Sequence, residues 1–161
     1  MSLQNDRLLD RTGREILRLL QTEGRMTWSE LGRRVGLSAP AAAERVRRLE
    51  DAGIIEGFYA HVPPTRIGLP VTAFVMLTAR SKDYPRVLAL CENTPQVIEC
   101  HHVSGEPSFI IKTAVASVAH LESLIARLTR FGETKTLIAL SSPVQKRSSL
   151  SAMQDAPPPE V

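Results

Sequence analysis

Residues 27–49 read Thr-Trp-Ser-Glu-Leu-Gly-Arg-Arg-Val-Gly-Leu-Ser-Ala-Pro-Ala-Ala-Ala-Glu-Arg-Val-Arg-Arg-Leu. Two helices and the turn joining them are written in this stretch. Thr27 and Glu30 stand at the spacing of a capping box, in which a hydroxyl and a carboxylate each satisfy a backbone N–H left unpaired at a helix start. Trp28, Leu31 and Val35 follow at i, i+3 and i+7, an apolar stripe for a helix over 28–35 in which Trp28 is expected to pack. Gly36 stops it, because glycine enters the left-handed conformation without a Cβ clash. Ser38 is a second N-cap, and Pro40 sits in a first turn that needs no N–H there. Ala42, Val46 and Leu49 then lay one face of a second helix, 39–52, against a core.

Reading outward toward the N-terminus, residues 8–20 place Leu9, Ile16, Leu17 and Leu20 near one face and Arg11, Arg14 and Arg18 elsewhere. That pattern predicts an amphipathic helix, weakened by Gly13 and ended by Gly24. Toward the C-terminus, Gly53 closes the third helix. Residues 54–62, with β-branched and aromatic residues and one internal glycine, predict a short hairpin or wing.

Two helices joined by Gly36-Leu37-Ser38 fit a helix-turn-helix, whose second helix lies in the major groove with its N-terminal residues at base edges. Close approach there favours small side chains, which Ser38, Ala39, Pro40 and Ala43 supply. Longer cationic side chains reach phosphates, which position a protein on DNA without reading sequence. That role is expected of Arg33, Arg34, Arg45, Arg47 and Arg48. The whole chain of 161 residues carries a formal net charge of only +3. Residues 33–48 hold those five arginines against Glu44 alone, so the positive charge is local. Periodicity by itself equally allows a packing domain with a solvated arginine face.

Residues 63–70, with three prolines and a glycine in eight positions, mark a hinge between a 1–62 domain and a second domain over 71–143. The second half alternates strand and helix: a strand from 71 to 80, a helix around 84–92, and strands at 96–103 and 108–115 joined by Ser104-Gly105-Glu106-Pro107. A helix at 118–131, with Leu121, Leu124, Ile125 and Leu128 on one face, and a strand at 133–141 complete it. This βαββαβ order predicts a ferredoxin-like sheet and makes the chain α+β. The outward residues of 74–77 and 110–111 are too apolar for water, so a second copy is expected to cover them. A two-fold homodimer presents two recognition helices to a roughly palindromic operator in double-stranded DNA. Residues 144–161, with a Pro157-Pro158-Pro159 run, read as a flexible tail.

Several function classes recede. No apolar run approaches the roughly 20 residues of a membrane helix. The start of the chain lacks a signal-peptide pattern, so a cytoplasmic protein is expected. Cys91 and Cys100 are expected to be reduced and packed. Cys91, Cys100, His101, His102 and His120 show no metal-ligand spacing, and His101 and His102 should point to opposite faces of one strand, so no metal or cofactor is expected. Phosphate-loop, dinucleotide, zinc-protease and nucleophile-elbow motifs are missing, which argues against an enzyme. The competing reading is a small-molecule-binding enzyme or carrier of ferredoxin-like fold with a helical appendage, since that fold hosts many activities.

Leu9-Asp10 with Ile16-Leu17, Gly24-Arg25, Ser29-Glu30-Leu31, Val35-Gly36-Leu37-Ser38, Arg45-Val46-Arg47-Arg48-Leu49-Glu50 and Gly53-Ile54-Ile55-Glu56-Gly57-Phe58 together resemble the leucine-responsive regulatory protein and asparagine synthesis regulator (Lrp/AsnC) family. The resemblance continues through Gly68, Val97-Ile98-Glu99-Cys100 and Thr134-Lys135-Thr136. It implies a transcription regulator with an N-terminal winged helix-turn-helix, a hinge, and an effector-responsive C-terminal domain that dimerises and often assembles into octamers. It also implies a small-molecule effector, such as a free amino acid, bound with the help of Ser104, Gly105, Glu106, Ser108 and Thr136. Here Pro107 replaces the family's aromatic residue and Ser108 its aspartate. Losing that carboxylate removes a charge-assisted hydrogen bond to an α-ammonium group and implies weakened or altered recognition.

Overall fold

The computed structural model describes residues 7–144, so most of the expected tail lies outside the described residues. These residues divide into two compact units, one ending at Ala60 and one spanning His61–Pro143.

Among the described residues, the first unit holds three complete helices: α1 (Arg11–Thr22), α2 (Trp28–Val35) and α3 (Ala39–Asp51). Each begins at the side-chain cap its sequence offers. The Asp10 carboxylate accepts from the Gly13 N–H at 2.7 Å, Thr27 Oγ1 from the Glu30 N–H at 3.2 Å, and Ser38 Oγ from the Ala41 N–H at 3.3 Å. Gly36, at φ 73°, turns the chain out of α2. Ile16, Leu17, Leu20, Leu31, Val46 and Leu49 are buried in one apolar cluster, the face the spacing assigned to the core. Burial of each such side chain stabilises by roughly 1.5–3 kcal/mol.

Four local expectations change. Gly13, expected only as a weak point of α1, has a structural use: a Cβ there would lie 1.8 Å from the Leu8 carbonyl oxygen, so the glycine is what allows the preceding turn to fold back on the helix. The capping box forms only in its Thr27 half, because the Glu30 carboxylate binds Arg33 and Arg34 instead. Trp28 does not join the core; it is 45% exposed at the first position of α2, while Leu31 one turn on is fully buried. Residues 54–62 form no hairpin. A two-stranded ribbon is marginal alone, and this unit has no strand among the described residues to pair with it. Residues 54–60 instead line a cleft with Leu17, Leu20 and Gly24 of the first helix region.

The second unit follows the predicted order: β1 (Val71–Ala79), α4 (Tyr84–Glu92), β2 (Val97–His102), β3 (Phe109–Val115), α5 (Val118–Leu128) and β4 (Gly132–Ile138). All pairings are antiparallel, in the order β2-β3-β1-β4. Period-two alternation sorts the sheet. Ala73, Val75 and Leu77 of β1, with Phe109, Ile111 and Val115 of β3, are buried with Val87, Leu121, Leu124 and Leu128 of the helices. The opposite face carries Phe74, Met76 and Ile110, which are half-buried, and Leu137, which is 48% exposed. β4 stops at Ile138 rather than 141. Its partner β1 begins at Val71, and the last bond of the ladder is Ala139 N–H to the Thr72 carbonyl at 2.9 Å.

Candidate DNA interface and ligand-binding loop

The start of α3 presents a low surface. Ser38, Pro40 and Ala41 are exposed there, with Ala39 and Ala43 half-buried behind them. Arginines flank it on α2 and further along α3. Arg33 donates two hydrogen bonds to Glu30, at 2.9 and 2.7 Å, and Arg34 donates to the same carboxylate at 2.6 Å. Glu44 is shared in the same way, by Arg47 at 2.5 Å and Arg48 at 3.0 Å. The hydrogen bonds from Arg33 and Arg34 hold the Glu30 carboxyl at about 2, and Arg48 with Arg47 also lowers that of Glu44. Each triplet of two guanidiniums and one carboxylate therefore carries one net positive charge.

Arg45 behaves differently from its neighbours. Its side chain is only 22% exposed, and Nη2 lies 2.6 Å from Asp10 Oδ2 and donates to the Arg7 carbonyl at 3.0 Å. Counting arginines from the sequence missed these carboxylates as partners. Asp10 was signalled by its position three residues before Gly13, as a cap, and Glu30 and Glu44 by their i, i+3 and i, i+4 spacing to arginines.

In the second unit, Ser104, Gly105 and Glu106 are exposed in the loop between β2 and β3, with Gly105 at φ 96°. Ser108 is not on that surface. It is 5% exposed, its Oγ both donates to the Ala79 carbonyl and accepts from the Ala79 N–H at 3.3 Å, and its own N–H donates to the Leu77 carbonyl at 2.9 Å. The hydroxyl that replaces the family's carboxylate thus ties the loop to the end of β1. Thr136 is opposite Val75 on β4, with β1 standing between β4 and β3, so one chain does not bring Thr136 beside residues 104–106. His101 and His102 lie opposite Ile110 and Phe109 and so face opposite sides of the sheet. His102 stacks on Phe109 at 5.0 Å and meets Tyr84 edge-on at 4.8 Å, which accounts for its place.

A helix-turn-helix joined to a four-stranded α+β unit defines a class of DNA-binding regulators, and sequence comparison bears this out in both halves. Residues 9–56 match the winged helix-turn-helix DNA-binding family and residues 72–149 the Lrp/AsnC ligand binding domain. An uncharacterised HTH-type transcriptional regulator of Bacillus subtilis, YezC, is 42% identical over 135 residues, 83% of this chain and 95% of the relative. The HTH-type regulator LrpA of Mycobacterium tuberculosis is 37% identical, over 80% of this chain and 86% of its own. Among solved structures, a feast or famine regulatory protein of M. tuberculosis complexed with L-methionine superposes with a TM-score of 0.81 at 35% identity, covering 88% of this chain and 99% of that one. Escherichia coli AsnC does so with a TM-score of 0.78 at 30% identity, over 86% and 97%. The chain belongs to the Lrp/AsnC family and is a DNA-binding transcriptional regulator. No helix among the described residues is long and apolar enough to cross a membrane.

Proposed function

We propose that two copies of the chain, joined through the open faces of their sheets, bind a roughly palindromic operator in the cytoplasm and do so by recognition rather than catalysis. The observation that carries this reading is the low, small-residue start of α3 bordered by exposed arginines. Ser38, Ala39, Pro40 and Ala43 approach base edges, while Arg33, Arg34, Arg47 and Arg48 exchange a carboxylate for phosphate oxygens. Pairing two recognition helices raises the effective affinity of a unit whose own net charge is modest. Residues 63–70 act as the hinge.

The regulated signal is a small effector, an amino acid or a close analogue, bound at the 104–106 loop. Two observations support this: the neighbour solved with L-methionine, and a turn that exposes Ser104, the Gly105 backbone and Glu106. Glu106 is then the acid available to an ammonium group, since Ser108 is engaged with Ala79. Thr136 contributes from another copy, because β1 separates it from the loop of its own chain.

A mobility-shift titration on the promoter region of its own gene, at several salt concentrations, tests the DNA reading. A shift that distinguishes the promoter from random DNA and weakens with salt is expected, and no sequence-dependent shift at moderate salt would sink it. In the same assay Arg47→Ala should weaken binding to all sequences and reduce the salt slope by about one, whereas substitutions of Ala39 or Pro40 should change the preference among sequences.

A further inference from the structure

Arg45 lies in the middle of α3, yet its guanidinium points back to the turn that precedes α1, some 35 positions earlier in the chain. It grips that turn at two points, the Asp10 carboxylate at 2.6 Å and the Arg7 carbonyl at 3.0 Å. The anchor is itself fixed. Asp10 caps α1 through the Gly13 N–H at 2.7 Å, its carbonyl accepts from the Arg14 N–H at 3.0 Å, and Arg14 Nε donates to the Leu9 carbonyl at 2.7 Å. The fold-back at Gly13 leaves no room for even a Cβ between residue 13 and Leu8.

We infer that Arg45 is a positioning residue, which sets the placement of α3 against the start of α1 through Asp10 and does not hold a DNA phosphate. The inference rests on the DNA-binding reading above. Three observations carry it. Arg45 is 22% exposed, against 72%, 67% and 60% for Arg33, Arg47 and Arg48. Its Nε is buried without a hydrogen-bond partner, so the side chain is held in place at the expense of one donor, which an arginine free to reach solvent or phosphate would not accept. The hollow beside the pair is lined by Asp10, Glu44, Arg45 and Arg48, two groups of each sign, so a phosphate entering there meets a neutral wall. A charge-assisted bond between rigid partners orients an element more sharply than apolar contact, and base readout needs α3 held to a fraction of an ångström.

The test uses the full chain with Arg45→Gln, Asp10→Asn and the double variant, in mobility shifts on the promoter fragment and on random DNA across a salt series. Asparagine caps a helix as well as aspartate, so Asp10→Asn removes the ion pair while keeping the cap. Each single variant is expected to lose about tenfold on the promoter and less on random DNA, and the double variant to lose no more than either single one. The salt slope should stay at the wild-type value in all three. A slope lowered by about one in Arg45→Gln but not in Asp10→Asn would show a direct phosphate contact and overturn the inference. An unchanged promoter-to-random ratio in both single variants would reduce the pair to a fold-stabilising contact and overturn it as well. Wild-type protein that binds no DNA would instead overturn the underlying reading, and this inference with it.

Discussion

In the helical unit the arginines flanking the start of α3 are already paired with carboxylates; in the sheet unit, Phe74, Met76, Ile110 and Leu137 lie on the face opposite the one that the unit's own described helices cover. The two surfaces differ in what a partner must displace. A phosphate arriving at Arg47 or Arg48 competes with Glu44, so the exchange is nearly balanced and reversible by salt. A second copy arriving at the sheet displaces mostly water from apolar area, although the Lys112–Glu99 pair at 2.6 Å and Lys135 lie beside Phe74 and Met76 on the same face. One unit is suited to a partner that comes and goes, the other to a partner that stays.

The largest effect that can sharpen this contrast is a cavity in one core. Phe109→Ala should cost about 3–5 kcal/mol, because the ring is fully buried between β1 and the helices. Trp28, the sole tryptophan, belongs to the helical unit and gives it a separate optical signal. Far-ultraviolet circular dichroism should show early melting of the sheet unit while Trp28 fluorescence keeps its wild-type transition; a matching fall in the fluorescence midpoint would show that the two units are not independent.

A smaller but qualitative effect is expected on the open face. Met76→Glu should leave the monomer folded, as the position is half-buried, yet place charge in the proposed seam between copies. Sedimentation should then show monomer at concentrations where the wild type is a dimer, and promoter affinity should drop by about the avidity factor of 10²–10⁴ that a second half-site supplies. Dimer retained in this variant would move the interface elsewhere.

The smallest effects concern the shared carboxylates. Glu44→Gln frees Arg47 and Arg48 and should tighten binding to random DNA by a few-fold, with a steeper salt slope, visible by fluorescence anisotropy. Acid gives a related signal. Glu30 and Glu44 titrate below their unfolded values because of their arginine partners, so whatever stability they lend is fully present above the ordinary carboxylate value. It is lost as pH falls, for Glu30 down to about 2. The contribution is small at these exposed positions. Acid should therefore lower the Trp28 transition slightly in wild type, and less so in Glu30→Gln.

Most of this architecture is legible in the sequence because local chemistry and global fold agree. Thr27, Gly36 and Ser38 mark helix ends wherever they occur in a chain, and the apolar spacing of 16–20, 42–49 and 121–128 selects the buried faces. Reading fails where a side chain has two partners to choose from. Glu30 matches the capping box by spacing, but two arginines one turn away offer it charge where the box offers only a backbone N–H. Arg45 looks like Arg47 and Arg48 in the sequence; its angular position on α3, and the turn at Asp10, decide its partner. Ser108, at the end of the ligand-binding stretch that the family resemblance implies, is brought under Ala79 by the β1 and β3 register. The hairpin expected at 54–62 has strand-like composition, but no strand forms there and none among the described residues of this unit is available to pair with it.

The glutamates that each hold two arginines also bear on how long a search for a binding site takes. Residence on the wrong sequence is set by the counterions a protein releases there, and therefore by its uncompensated charge. With each pair of arginines partly neutralised by a shared carboxylate, non-cognate DNA releases fewer counterions than four free arginines would, and residence there is expected to be correspondingly short.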